Sequence, residues 1–212
     1  MADTSAFPSP EQAIAETRAW LEQAVIGLNL CPFAKAVHLK GQVRYVVSDD
    51  TDPEDLLNTL CAELEHLAKA DAAEVDTTLL IHPRVLTDFL DYNDFLDLAD
   101  QAVEDLGLEG LVQVASFHPQ YQFEGTEPDD VSNASNRSPY PTLHLLREGS
   151  VDRAVDAFPE AERIYEANIE TLERLGPEGW AKIQTEIRQA GQQAGLVDPS
   201  GGPRSEGALG EP

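Results

Sequence analysis

The chain has 212 residues, with 39 Asp and Glu against 14 Lys and Arg, a formal charge of -25 and a pI near 4.2. Nucleic-acid binders draw much of their affinity from clustered Lys and Arg that release phosphate counterions, and this balance excludes that class. Apolar residues make up 42%, enough for a packed core, and no apolar run approaches the roughly 18 residues of a membrane span.

Ser9, Pro10 and Gln12 form a helix start: a Ser cap, a proline at the first helical position and a Gln placed to close a capping box. The helix is predicted to run to about Leu28, with Ile14, Thr17, Leu21, Val25 and Leu28 on its buried face. Gln42 to Val47 reads as a strand. Asp52 caps a second helix whose stripe is Leu57, Leu60, Cys61, Leu64, Leu67 and Ala68. Thr77 to Ile81 is a short buried strand ending at His82-Pro83. A third helix spans Asp88 to Leu106, with Tyr92, Phe95, Leu96, Ala99, Ala102, Val103 and Leu106 inward. Leu111 to Phe117 is the next strand, again ending in His-Pro.

Gln120 to Pro141 breaks this rhythm with a long Gly-, Pro-, Asn- and Asp-rich segment, of the kind that serves function or moves. Thr142 to Arg147 then returns as a strand, antiparallel to its neighbours. Helices follow at Val151 to Phe158, Glu160 to Leu175 and Glu178 to Ala190. The fold class expected is α/β: a single domain over residues 9–190 with a mixed, largely parallel sheet and flanking helices. Residues 1–8 and the acidic segment 191–212 are expected to be flexible.

Two cysteines form at most one bridge, and MADTSAFPSPEQ has neither the basic nor the apolar region of a signal peptide, so a cytoplasmic setting with reduced thiols is expected. A carboxylate-rich surface with only four lysines (Lys35, Lys40, Lys69 and Lys182) also suits a salt-adapted cytoplasm, where screening relieves self-repulsion.

Ligands of parallel sheets bind beyond the carboxyl ends of the strands. That edge should collect Ser48 to Asp50, His82, His118 and the long loop, and an antiparallel last strand brings back His144. The charge lapses beside it. Gln23 to Ser48 and Val131 to Arg147 contain no Asp or Glu, while Lys35, Arg137 and Arg147 lie within them. These islands point to a small anionic ligand, with Lys35, Asn136, Arg137 and Arg147 as binding residues. His118 or His144 would serve as acid or base. Cys31, beside Pro32 at a helix end, reads either as a nucleophile or as a small core side chain, whereas Cys61 reads as core. Tyr121 and Phe123 are expected to pack the loop rather than stack on a ligand.

GLNLCPFAK (27–35), SFHPQYQF (116–123) and NRSPYPTLHLLRE (136–148) resemble the bacterial family catalogued as domain of unknown function 1415. The resemblance extends to about residue 185 and brings no activity, cofactor or catalytic residue with it. The acidic balance and the C-terminal extension stand outside it.

Three functions compete. The leading expectation is an enzyme acting on a small anionic molecule at the carboxyl edge. The second is a histidine-dependent metal site of His82, His118 and His144 with Asp129 or Asp130. The third is a non-catalytic protein whose 120–141 loop is a partner surface. No Walker loop, dinucleotide glycine fingerprint or serine-hydrolase elbow is present, no cofactor is assigned, and oligomeric state is left open.

Overall fold

The computed structural model describes residues 7–158 and 163–195 of the chain. The flexible ends expected at 1–8 and 191–212 lie largely outside the described residues, as do the first residues of the helix expected from Glu160.

The first helix, α1 (Pro10–Trp20), starts as its sequence dictates, with Ser9 Oγ accepting from the Gln12 backbone N–H at 3.2 Å. Gln12 does not close the box, however; its side chain reaches forward to Glu16 instead. The chain then widens into a π-helix at Leu21–Ile26. Gly27 follows because a Cβ there would lie 2.3 Å from the Gln23 carbonyl oxygen. A short α2 (Ala34–Leu39), not anticipated from periodicity, leads into strand β1 (Val43–Val47).

Asp52 and Asp88 cap α3 (Pro53–Lys69) and α4 (Phe89–Asp105) through side-chain oxygens on first-turn N–H groups. Between them runs β2 (Thr77–Ile81), and after them β3 (Val112–Phe117) and β4 (Thr142–Arg147). Helix α5 (Glu148–Asp156) follows directly. The last helical segment, α6 (Ile164–Gly195), is two helices joined at a kink, where Gly176 takes φ 68° just before Pro177. The break matches the two helices expected on either side of it.

The strand order is β1-β2-β4-β3. Only β1 and β2 pair in parallel; β4 is antiparallel to both β2 and β3. The expectation of a largely parallel sheet is therefore corrected. β4 does return antiparallel, but it inserts between β2 and β3, so one would-be parallel contact is replaced by two antiparallel ones. The carboxyl ends of β1, β2 and β3 still share an edge, because Ile81 and Phe117 both register with Thr142.

Both sheet faces are covered. On one lie α3 and α4, with Leu56, Leu60, Leu64, Leu67, Tyr92, Phe95 and Ala99 packed on Leu80, Leu143, Leu145 and Val112. On the other lie α1, the π-helix and α6, whose Trp20, Leu21, Ala24, Leu172, Trp180 and Ile187 meet Val43, Tyr45 and Phe117. Covering on both sides explains why TTLLI of β2 is buried at every position instead of alternating. Among the described residues, no helix is long and apolar enough to cross a membrane.

Candidate functional site

The three strand-associated histidines are placed by packing and hydrogen bonds, to backbone groups for His82 and His118 and to the Thr77 side chain for His144. His82 is fully buried, its Nδ1–H donates to the Val85 carbonyl at 3.0 Å, and its ring stacks on Tyr92 at 5.8 Å. His118 Nδ1 accepts from the Gln120 N–H at 3.0 Å while Nε2–H donates to the Leu86 carbonyl at 3.2 Å, so both ring nitrogens are engaged. Its ring also lies against Tyr92, at 5.1 Å. Tyr92 itself donates to the Thr142 carbonyl and accepts from the Phe117 N–H, which ties the ends of β3 and β4 together.

His144 lies inside β4, paired with Leu79 and Ala115, and packs on Phe117 at 5.9 Å. Thr77 Oγ1 donates to the Leu145 carbonyl, so it accepts from His144 Nε2–H at 2.7 Å, and the imidazole proton sits on Nε2. His82 and His118 meet at Tyr92, whereas His144 packs on Phe117 toward α1 and α6. Desolvation pushes the pKa of His82 and of His144 down to about 4, and that of His118 down as well. Among the described residues, no group of three or more His, Cys, Asp or Glu side chains is arranged to hold a metal ion. Asp130 instead caps the 3₁₀ helix Val131–Asn136 through the Ser132 N–H.

The long loop is built. Asn133 is fully buried, with Oδ1 accepting from the Phe123 N–H and Nδ2 donating to the Glu127 carbonyl. Asn136 Nδ2 donates to the Ser116 carbonyl, and its own carbonyl accepts from the His118 N–H. Arg137 Nε donates to Tyr121 O at 3.0 Å and a terminal nitrogen to Pro128 O at 2.6 Å. Tyr121 and Phe123 pack on Phe89, on each other and on Tyr165, as loop-packing residues.

The residues expected to form one site are not gathered into one. Arg147 registers with Val112, at the opposite end of the strands from Thr142 and Phe117, and spends its guanidinium on the carbonyls of Ala70 and Val75. Cys31 flanks the α1 side of the core, half-buried, and burial pushes its thiol pKa up, opposite to an activated thiolate. Lys35 is exposed on α2. Cys61 is half-buried at the margin of the α3 stripe, where desolvation and the charge of Glu65 push its thiol up too.

Arg137 alone among these residues lines a sizeable cleft, of about 230 Å³, between α1, α6 and the turns at 119 and 137–139. Glu16 and Trp20 enter from α1; Trp180, Gln184, Ile187 and Arg188 enter from α6; Pro119, Arg137, Ser138 and Pro139 complete it. The helical contributions are spaced four, or three and four, residues apart, which sets each group on one face. Both tryptophans of the chain line this cleft. Trp180 is 7% exposed and its Nε1–H has no hydrogen-bond partner.

The charges of the cleft are unusual for an acidic chain: two guanidiniums against one carboxylate. Among the described residues, neither Arg137 nor Arg188 has a carboxylate within 4.0 Å. Glu16, 6% exposed, accepts from the Tyr140 hydroxyl at 2.8 Å and from Gln12 Nε2 at 3.0 Å. Burial and the Glu16 charge push the Tyr140 phenol well above its ordinary value, so it remains a donor.

Glu16 also explains Gly191. A Cβ at that position would lie 2.2 Å from Glu16 Oε1 and 2.3 Å from its Cγ, so α6 approaches α1 only because the residue is glycine. Gly191→Ala is expected to destabilise the fold by about 2 kcal/mol, as overpacking does, because Glu16 is tethered and has little room to retreat. Thermal unfolding of the variant measures this, and an unchanged midpoint would contradict the close packing.

The site thus contains residues that periodicity and charge did not single out: Glu16, Trp20, Trp180 and Arg188. Their only local signals were helical spacing and the presence of both tryptophans. A second hollow, of about 160 Å³, is bordered by Asn29 and Pro32 of the first motif and by Phe158 and residues 163–170.

No curated protein and no solved structure matches the chain significantly. A family model does match, over residues 12–182, and that span takes in most of α1, the whole sheet, the loop and Trp180, and ends before Gln184, Ile187 and Arg188. The chain belongs to the family described as Protein of unknown function (DUF1415).

Proposed function

We propose that the protein binds a small anionic ligand in the cleft between α1 and α6. The observation that carries this reading is the convergence of two guanidiniums, Arg137 and Arg188, on the rim of a tryptophan-walled cleft in a chain of charge -25; neither is in an ion pair among the described residues, although the charge of Asp130 lies near Arg137. Two cations that converge on one concave, partly apolar site favour an anion from outside. Arg137 supports this role by its rigidity. Two of its nitrogens are held by loop carbonyls, which orients the fork before a ligand arrives. Trp20, Trp180, Ile187 and the two prolines supply apolar walls. Of the acid, base and nucleophile candidates His118, His144 and Cys31, none lines this cleft.

Because both tryptophans line the cleft, their emission reports occupancy directly. Titration with benzoate, 3-phenylpropionate, pyruvate and inorganic phosphate is expected to quench or shift it, with saturation by at least one of the four. Arg188→Ala, on the exposed rim, should weaken that binding about tenfold, the size of one charge-assisted contact. Emission that stays flat with all four anions to millimolar concentration counts against an anion site.

A further inference from the structure

We propose that the ligand is an amino acid zwitterion, with its carboxylate on Arg137 and Arg188 and its ammonium on Glu16. This rests on the anion reading above and extends it to the other end of the molecule. Glu16 is the one carboxylate lining the cleft, it is 6% exposed, and no Lys, Arg or His lies within 4.0 Å of it among the described residues. Its two partners, Tyr140 and Gln12, are neutral donors, one on each oxygen. An ionised carboxylate accepts about four hydrogen bonds, so roughly half of its capacity is unused.

A seam between two helices that only needed filling would be better served by an apolar side chain, since a buried charge is compensated only by good pairing. Here the fold accommodates the charge deliberately: Gly191 leaves the space that the Glu16 side chain occupies. Across the same cleft stand two cations, Arg137 and Arg188, neither in a direct ion pair among the described residues, with Asp130 the carboxylate near Arg137. A ligand carrying only a negative charge would answer Arg137 and Arg188 and leave Glu16 as a repulsive neighbour; a zwitterion answers both. The indoles of Trp20 and Trp180 suit the rest of such a molecule, offering apolar contact to its side chain and ring faces to its ammonium.

Three probes of shared shape separate the ends: L-phenylalanine, 3-phenylpropionate without the amino group, and phenethylamine without the carboxylate. Followed by tryptophan emission, L-phenylalanine should bind at least about tenfold more tightly than either analogue. Glu16→Gln should erase its advantage over 3-phenylpropionate while leaving the affinity for 3-phenylpropionate equal or improved. If 3-phenylpropionate binds wild-type protein as tightly as L-phenylalanine, the zwitterion proposal falls and the anion site stands. If L-phenylalanine, 3-phenylpropionate and the other anions all fail to bind, both fall. A Glu16 that merely anchors Tyr140 predicts lower stability of the Gln variant with the L-phenylalanine preference intact, which also overturns the proposal. The wild-type comparison decides the matter even if Glu16→Gln does not fold.

Discussion

Acidification from pH 7 to pH 4 is expected to remove about 3 kcal/mol of folding stability through His82 alone, because its pKa lies at about 4 in the fold against about 6.5 in the unfolded chain. The direction follows from which state binds protons first. Below about 6.5 the unfolded chain takes up protons that the buried ring refuses, so stability is whole above that pH and declines as pH falls toward 4. Desolvation is the main cause, since the ring has no exposed surface; the proximity of His118 adds to it, while the Val85 hydrogen bond and the Asp50 charge oppose it. His144 and His118 shift in the same direction and add to the loss. The charge of -25 works the other way, because protonating carboxylates relieves repulsion, but that relief is concentrated near pH 4 and below, at the foot of the histidine window. Denaturant unfolding followed by circular dichroism at pH 7, 6 and 5 tests this. Stability that is level across those three values would show that the rings titrate normally.

Replacing Asn133 with Ala is expected to cost about 3–4 kcal/mol and to release the 120–141 loop. The side chain is fully buried, and its removal strands the Phe123 N–H and the Glu127 carbonyl without the partners they now have. The Thr126 hydroxyl, which lies within hydrogen-bond distance of both Asn133 Oδ1 and the Phe123 carbonyl, keeps only the second. Arg137 is held by the carbonyls of Tyr121 and Pro128 on this same loop, so its orientation in the cleft depends on Asn133 at one remove. The variant should therefore lose both stability and anion affinity, with hydrogen exchange accelerated between residues 120 and 137. Faster exchange confined to other segments, or none, would mean the loop is organised by something else.

The loop shows how a sequence feature can be recognised without its internal bonding being legible. Length and composition marked residues 120–141 as exceptional, and two of the three family-like motifs border it. Its Asn and Arg residues looked available to a ligand because donors and acceptors were plentiful. In the fold, Asn133, Asn136 and most of Arg137 satisfy the loop's own backbone, which an irregular segment packed against a core requires. Arg147 makes the same point. Its partners, the carbonyls of Ala70 and Val75, are more than 70 positions away, and no local pattern announces them.

What the sequence determined by itself is whatever short-range physics controls. Ser9, Asp52 and Asp88 cap their helices, the apolar stripes of α3 and α4 face inward, and the boundaries of β2 and β4 fall where β-branched and apolar runs stop, since each depends on residues a few positions apart. What only the tertiary structure decided is order and convergence. Insertion of β4 between β2 and β3 made the mixed sheet mostly antiparallel instead of largely parallel. The meeting of α1 with α6 brought Glu16 and Trp20 to Trp180 and Arg188 and made a cleft from residues more than 150 positions apart. Such contacts follow from which surfaces bury best against each other across the whole chain, a quantity that periodicity and composition do not contain.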